Sequence, residues 1–287
     1  MMGAAKTFIS IETAKPVDPA IAEMVKAVLS KHQNVLAVLA YGSTLRDISP
    51  TESLIDLYVL TEDLRGVSAN PASQLGCSVV PPNVYYAECV CNNKTYRAKY
   101  AALPFLQFGK RVSKSTDNPY FWARFAQPCH IVWSKDEAAH AQILAALEAA
   151  ASTAFANAKA LIDAPARQQW IILFQNTYRT ELRPEAANRA ELVVAANADY
   201  YTRLSSLLSD TAAIKPNWAL RRFTGKALSI LRLVKAAFTF QGGADYIAWK
   251  IKRHSGVAIE VKDWQRRHPL LAGIVLLPKL LSKGAVK

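Results

Sequence analysis

Residues 40–60 read AYGSTLRDISPTESLIDLYVL. An apolar run ends in Tyr41-Gly42-Ser43, a polar segment follows, and Asp56 stands thirteen residues after Ser43 inside a second apolar run. These residue types suit phosphate chemistry. A glycine at a strand end lets backbone amides approach a polyphosphate closely, and Ser43 adds a hydroxyl donor. A carboxylate on the neighbouring strand can hold a divalent cation against the same phosphates. A turn glycine before a polar residue is also a common structural feature, so Gly42-Ser43 alone has a plain reading. Asp56 is harder to dismiss, because a charge inside LIDLYVL is costly unless it is paired or metal-bound.

The elements that position these groups follow from periodicity. Ile21, Met24, Val25, Val28 and Leu29 recur at helical spacing after Asp18 and Pro19. VLAVLAYG and LIDLYVL read as strands, and alternation puts Leu54, Asp56 and Tyr58 on one face. Residues 61–80, with Gly66, Pro71 and Gly76, read as loop. VYYAECVC (84–91) and TYRAKYAAL (95–103) flank Asn92-Asn93-Lys94, a hairpin signal. A helix is expected from Pro104 to Val112 and a short strand at CHIVW (129–133). Ser134 with Glu137 suggests a capping box opening an Ala-rich helix that runs to about Asp163. Residues 165–240 read as helical, with breaks near Pro184 and Pro216. The expected class is α+β: a mixed sheet with flanking helices over 1–150, a helical domain over 151–240, and a basic amphipathic tail over 241–287.

A strand end in Gly-Ser followed by an acid-bearing strand resembles the layout of the nucleotidyltransferase superfamily. That pattern usually carries two acids two residues apart, and Leu54 stands at the first position here. A single acid is similar to the mitochondrial-type phosphatidate cytidylyltransferases, the translocator assembly and maintenance family. Val84-Tyr85-Tyr86 resembles that family's Gly-Val-Tyr-Tyr strand, with Asn83 for the glycine. Lys99-Tyr100 resembles its Lys-Tyr-Gly, with Ala101 for the glycine. Tyr120, Arg124, Gln127 and Pro128 resemble a Tyr-x-x-Gly-Arg-x-x-Lys/Gln-Pro segment, with Ala123 for the glycine. Tyr178, Glu181, Arg183 and Glu185 are similar to a later segment, with Glu181 for its Asp. The shared order spans roughly residues 33–210.

The resemblance implies transfer of CMP from CTP to phosphatidic acid with Mg²⁺, giving CDP-diacylglycerol and pyrophosphate. Tyr41, Gly42, Ser43 and Tyr86 would bind the nucleotide. Asp56 would ligate Mg²⁺, and Glu181 could supply a second carboxylate, as could Glu185 or Glu88. Lys99 and Arg124 would neutralise phosphate charge, each with a plain surface reading beside it. A different lipid phosphate, a small-molecule acceptor, or a catalytically silent nucleotide- or lipid-binding module are the alternatives. No nucleophilic side chain is needed. The five histidines form no triad or metal set: His130 reads as structural, and His32 as a helix-end cap.

Charge bears on the partner. The 287 residues carry +13, from 35 Lys+Arg against 22 Asp+Glu. From Lys215 to Lys287 there are 15 basic and 3 acidic residues, so the body is close to neutral. Trp264, Arg266 and Arg267 precede an apolar block of 13 residues, Pro269–Leu281, short of the ~20 needed to cross a bilayer. That pattern suits an interfacial segment on anionic lipid, and the apolar block argues against nucleic acid. Four scattered cysteines match no zinc spacing and read as reduced thiols. The N-terminus lacks a signal-like apolar run. The expected location is cytoplasmic, peripheral on the inner face of the membrane, or the matrix side of the mitochondrial inner membrane in a eukaryote.

Overall fold

The computed structural model describes residues 3–42, 54–182, 188–239 and 261–267, with the single residues 45, 244 and 248. Ser43, Arg183, Glu185, the side chains of Arg266 and Arg267, and the Pro269–Leu281 block lie outside the described residues.

Five strands form one mixed sheet. They are β1 (Val35–Tyr41), β2 (Ile55–Thr61), β3 (Asn83–Cys91), β4 (Lys94–Pro104) and β5 (Cys129–Ser134), in the order β3-β4-β2-β1-β5. Only β2 and β4 pair in parallel; the other pairs are antiparallel. β1 and β2 are almost continuously apolar because both faces of the sheet are covered there. The β3–β4 hairpin turns through Asn92 and Asn93, at φ 49° and 58°. Asparagine tolerates this left-handed conformation, and the resulting twist matches the strands.

On one face lies α2 (Pro19–Leu29), which buries Ile21, Met24, Val25 and Val28. Asp18 caps it by accepting from the Ala20 amide at 2.8 Å. His32 does not cap this helix: its ring nitrogens meet Gly66 O at 2.9 Å and the Tyr100 hydroxyl at 3.2 Å, below the sheet. On the opposite face Phe108 of α5 (Phe105–Val112) and Phe125 of α6 (Trp122–Phe125) pack edge-on at 4.8 Å, and Phe125 meets Tyr58 of β2 at 4.9 Å. Behind them runs α7 (Glu137–Lys159). It shares one core with the sheet and with the helices α8 (Ala166–Tyr178), α9 (Arg189–Ala195) and α10 (Ala198–Leu207). Trp170 ties this half together, stacked on Phe155 and donating to Ser205 Oγ at 2.8 Å. Residue 150 falls inside α7, and Ala150 belongs to that common core. Helix α11 (Trp218–Thr239) returns to β3, and α12 (Asp263–Arg267) carries Trp264.

Three further expectations change. Residues 61–80 are not loop but contain α3 (Leu64–Val67) and α4 (Pro71–Val79). Pro71 opens α4, where its missing N–H costs nothing, and Asn70 caps the helix. Gly66 is there for space: a Cβ would lie 2.5 Å from Gln33 O. The Ala-rich helix is capped by Asp136, which accepts from the Ala139 amide at 2.7 Å, not by Ser134, and it ends at Lys159. Ser134 is the last residue of β5 and pairs with Ala37. Helix α1 (Ala4–Thr13) has no counterpart among the expected elements; it buries Phe8 and Ile9.

Candidate active site

The strand register brings four of the sequence-selected residues together. Tyr86 pairs with Lys99, Lys99 with Asp56, and Asp56 with Tyr41. Residues directly opposite on paired strands share a face. The four therefore make one row across β3, β4, β2 and β1. Asp56 and Lys99 are only partly buried, although their strand neighbours Leu57 and Ala98 are fully enclosed.

Gly42 closes the row. Its φ is +90°, and an added Cβ would stand 3.0 Å from Asp56 Oδ2. The glycine is required twice, by conformation and by the carboxylate against it. The Tyr41 hydroxyl is pushed well above its ordinary value, first by burial and then by the Asp56 charge beside it. It stays protonated and can donate.

Two residues along β2, Tyr58 begins a cationic and aromatic cover. Arg124 of α6 donates through Nη1 to the hydroxyls of Tyr58 and Tyr120, each at 3.3 Å. Its guanidinium also lies 4.6 Å from the Tyr120 ring centre and 5.5 Å from that of Tyr41. Burial opposes the Arg124 charge, but Tyr120, Tyr58, Tyr41 and Glu181 together outweigh it, so the group stays ionised. Arg232 of α11 also lies over Tyr120, 3.9 Å from the ring centre. The Tyr120 hydroxyl is pulled below its usual range despite burial, by Arg124 and Arg232. The patterns in the sequence selected Arg124 and Tyr120 but not Arg232. Its partner in the cluster stands more than a hundred positions earlier in the chain, and no local spacing announces it.

At the open edge of the row the Tyr86 hydroxyl donates to Glu88 Oε1 at 2.6 Å, and Arg97 Nε meets the same oxygen at 3.0 Å. Glu88 is thus engaged by its neighbours on the edge strand. Glu181 follows α8 and acts electrostatically on Arg124 and Tyr120, which places an acid beside the guanidinium cluster. No group of three or more His, Cys, Asp or Glu side chains able to hold a metal is found among the described residues. Mg²⁺ does not need one. It keeps several waters and binds through one or two carboxylates plus substrate phosphates. The Asp56 carboxylate, only partly buried and set against the backbone of Gly42, fits that requirement.

Gly42 also borders a cavity of about 670 Å³. Its other walls are α1 and the turn after it (Phe8, Glu12, Lys15), the chain entering β5 (Gln127, Pro128, His130) and the α9–α10 turn with Arg203. Asp56 and Lys99 are not among its lining residues, so the cavity and the row meet at Gly42 and are otherwise separate. Burial, and next Lys15, hold the His130 imidazole below its ordinary value, and its Nδ1 is enclosed without a hydrogen-bond partner among the described residues. On α12, Trp264 is 39% exposed, and no described helix is long and apolar enough to cross a membrane.

No family model matches this chain, and no curated protein matches it. Among solved structures, the crystal structure of a nucleotidyltransferase-like protein from Exiguobacterium sibiricum 255-15 is similar at 12% identity, over 92% of each chain, with a TM-score of 0.28.

Proposed function

We propose that the row Tyr41–Asp56–Lys99–Tyr86 is a nucleotidyl-transfer site. One observation carries this: Gly42, at φ +90°, lies against the Asp56 carboxylate, and Lys99 is Asp56's register partner on the next strand. A phosphate chain laid along Gly42 would meet backbone amides on one side and cations on the other. Mg²⁺, held by Asp56, would neutralise the charge of the phosphates and of the leaving pyrophosphate. Lys99 offers an ammonium to the same oxygens. Arg124, already fixed by two phenols, offers a planar guanidinium that needs no reorganisation. An acceptor phosphate oxygen bonds to the α-phosphorus while the bond to the bridging oxygen breaks, and pyrophosphate leaves with that electron pair. The protein's part is alignment and charge neutralisation. The cavity beyond Gly42 lies within the size range of small-molecule sites and would take the nucleoside.

The finer reading comes from the family resemblance: CTP is the donor and phosphatidic acid the acceptor. The basic, Trp-bearing C-terminal region suits an enzyme working on a lipid surface. Leu54, at the position of the usual first acid, favours a second reading, a nucleotide- or lipid-binding module without turnover.

Pyrophosphate release separates the readings. The purified chain is given each of four nucleoside triphosphates with Mg²⁺, with and without phosphatidic acid micelles, beside Asp56→Asn. Release with CTP alone, dependent on the lipid and lost in the variant, is the expected result. CTP turnover with another acceptor keeps the site and moves the substrate. No turnover with any pair, from a folded protein, overturns the transferase reading.

A further inference from the structure

Helix α11 is anchored from one side. Arg232 donates through Nε to Pro81 O at 3.2 Å and covers Tyr120. Lys235 donates to Pro82 O at 2.6 Å and to Asn83 Oδ1 at 3.0 Å. Gly225 is pressed against Thr180, where a Cβ would lie 2.6 Å from its carbonyl oxygen.

The other side is apolar and open. Leu220, Phe223, Ile230, Leu231, Leu233 and Val234 are between 50% and 74% exposed. Positions 220, 223, 227, 230 and 234 fall on one stripe at helical spacing. Arg222 and Lys226 stand beside it, and the helix contains no acidic residue. Helix α4, whose Gly76 lies against the Lys235 stem, exposes two more apolar side chains, Leu75 and Val79, at 67% and 66%. Single exposed apolar side chains are ordinary, whereas a contiguous stripe marks a contact surface.

We infer that the α11–α4 face seats the protein on an anionic lipid surface. The charge pattern selects this occupant: the outward cations Arg222 and Lys226 flank the stripe and α11 carries no acid, which matches a negative surface with an apolar interior. A second copy of the same face would set those cations against each other. The placement is equally specific. The inward cation Arg232 belongs to the Tyr120–Arg124 cluster, so a phosphate at headgroup depth beside α11 is next to the proposed transfer site. Only the identity of that phosphate rests on the transferase reading; seating on lipid requires no nucleotide.

The test is sedimentation of the full chain with phosphatidylcholine vesicles and with vesicles containing added phosphatidylglycerol, without nucleotide. Phe223→Ser/Val234→Ser removes apolar contact at exposed positions, where the fold does not need it. Arg266→Glu/Arg267→Glu serves as a comparison on the C-terminal region. The parent is expected to sediment with anionic vesicles and not with zwitterionic ones. The α11 variant is expected to lose about tenfold or more in partitioning at an unchanged melting temperature. Three outcomes overturn the inference: equal parent binding to both vesicle types, unaltered binding by the α11 variant, or a parent dimer that the variant converts to monomer in light scattering. Vesicle binding without pyrophosphate release would count against the transfer site and leave this face standing.

Discussion

Gly42→Ala tests the site at its tightest point. An L-residue at φ +90° is strained by about 1–2 kcal/mol, and the new Cβ would lie 3.0 Å from Asp56 Oδ2. The carboxylate must give by a few tenths of an ångström, which brings the total to roughly 2–3 kcal/mol. For a chain of this size each kcal/mol moves the melting temperature by about 2–4 °C, so a fall of about 4–12 °C is expected by circular dichroism. In an Asp56→Ala background the contact is gone and only the backbone strain of about 1–2 kcal/mol remains. The difference between backgrounds measures how firmly Gly42 and Asp56 bear on one another. Pyrophosphate release should fall further than stability does, by about a hundredfold, because a small displacement of the aligned groups costs that much. A Gly42→Ala protein that melts within about 1 °C of the parent would refute the reasoning, since both sources of strain would then be missing.

Four shorter predictions follow from other parts of the molecule. Arg124→Leu strands Glu181 and two phenols without their cation and should lower stability by about 2–4 kcal/mol in urea titration; Arg124→Lys should not restore it, because one ammonium cannot reproduce the planar fork between Tyr58 and Tyr120. Burial pushes the Cys129 thiol up to about 12, above its ordinary 9. Between those values the unfolded chain has lost a proton that the folded chain keeps, so stability is intact below pH 9 and falls as pH rises, by about 1.4 kcal/mol per unit from this group. Cys129→Ala should show a shallower decline in urea midpoint from pH 9 to 10, and an identical slope would rule the thiol out. Arg232→Ala should raise the KM for the lipid phosphate while leaving triphosphate affinity within a factor of about three, and an equal loss of both would place Arg232 elsewhere in the reaction. Chelation by EDTA should abolish pyrophosphate release and leave vesicle binding intact.

The strands of this fold are legible because their information is local. VLAVLAY and IDLYVL need two covered faces, and Asn92-Asn93 can turn a hairpin in the left-handed region. The shared face of Asp56 and Tyr58 is legible for the same reason, from alternation alone. What failed was decided at a distance. Ser134 and Asp136 are equally good caps by type, and pairing of Ser134 with Ala37 on β1 leaves the role to Asp136. Gly66 looks like a chain breaker until Gln33 O is seen above it. Arg232 joins Tyr120 from the far end of the chain, through a helix whose path no sequence window contains.

Helix α11 shows why periodicity can mislead about direction. Its apolar stripe would ordinarily face a core. Here the polar side is the inner one. Arg221 is 3% exposed, bonded to Asn157 Oδ1 at 2.7 Å and lying over the rings of Trp122 and Trp218. Arg232 and Lys235 are met by carbonyl oxygens, and Phe223 is left 74% exposed. This inversion is offset by the rings, carbonyls and the Asn157 side chain that surround the inward cations, although Arg221 Nε is enclosed without a hydrogen-bond partner among the described residues. The exposed stripe forgoes about 1.5–3 kcal/mol for each large side chain that a core would have enclosed. That free energy is available to any surface that covers the stripe. The sequence pattern establishes that α11 is amphipathic; the direction of its apolar side, set by the partners of Arg221, Arg232 and Lys235, makes it a docking helix rather than a core one.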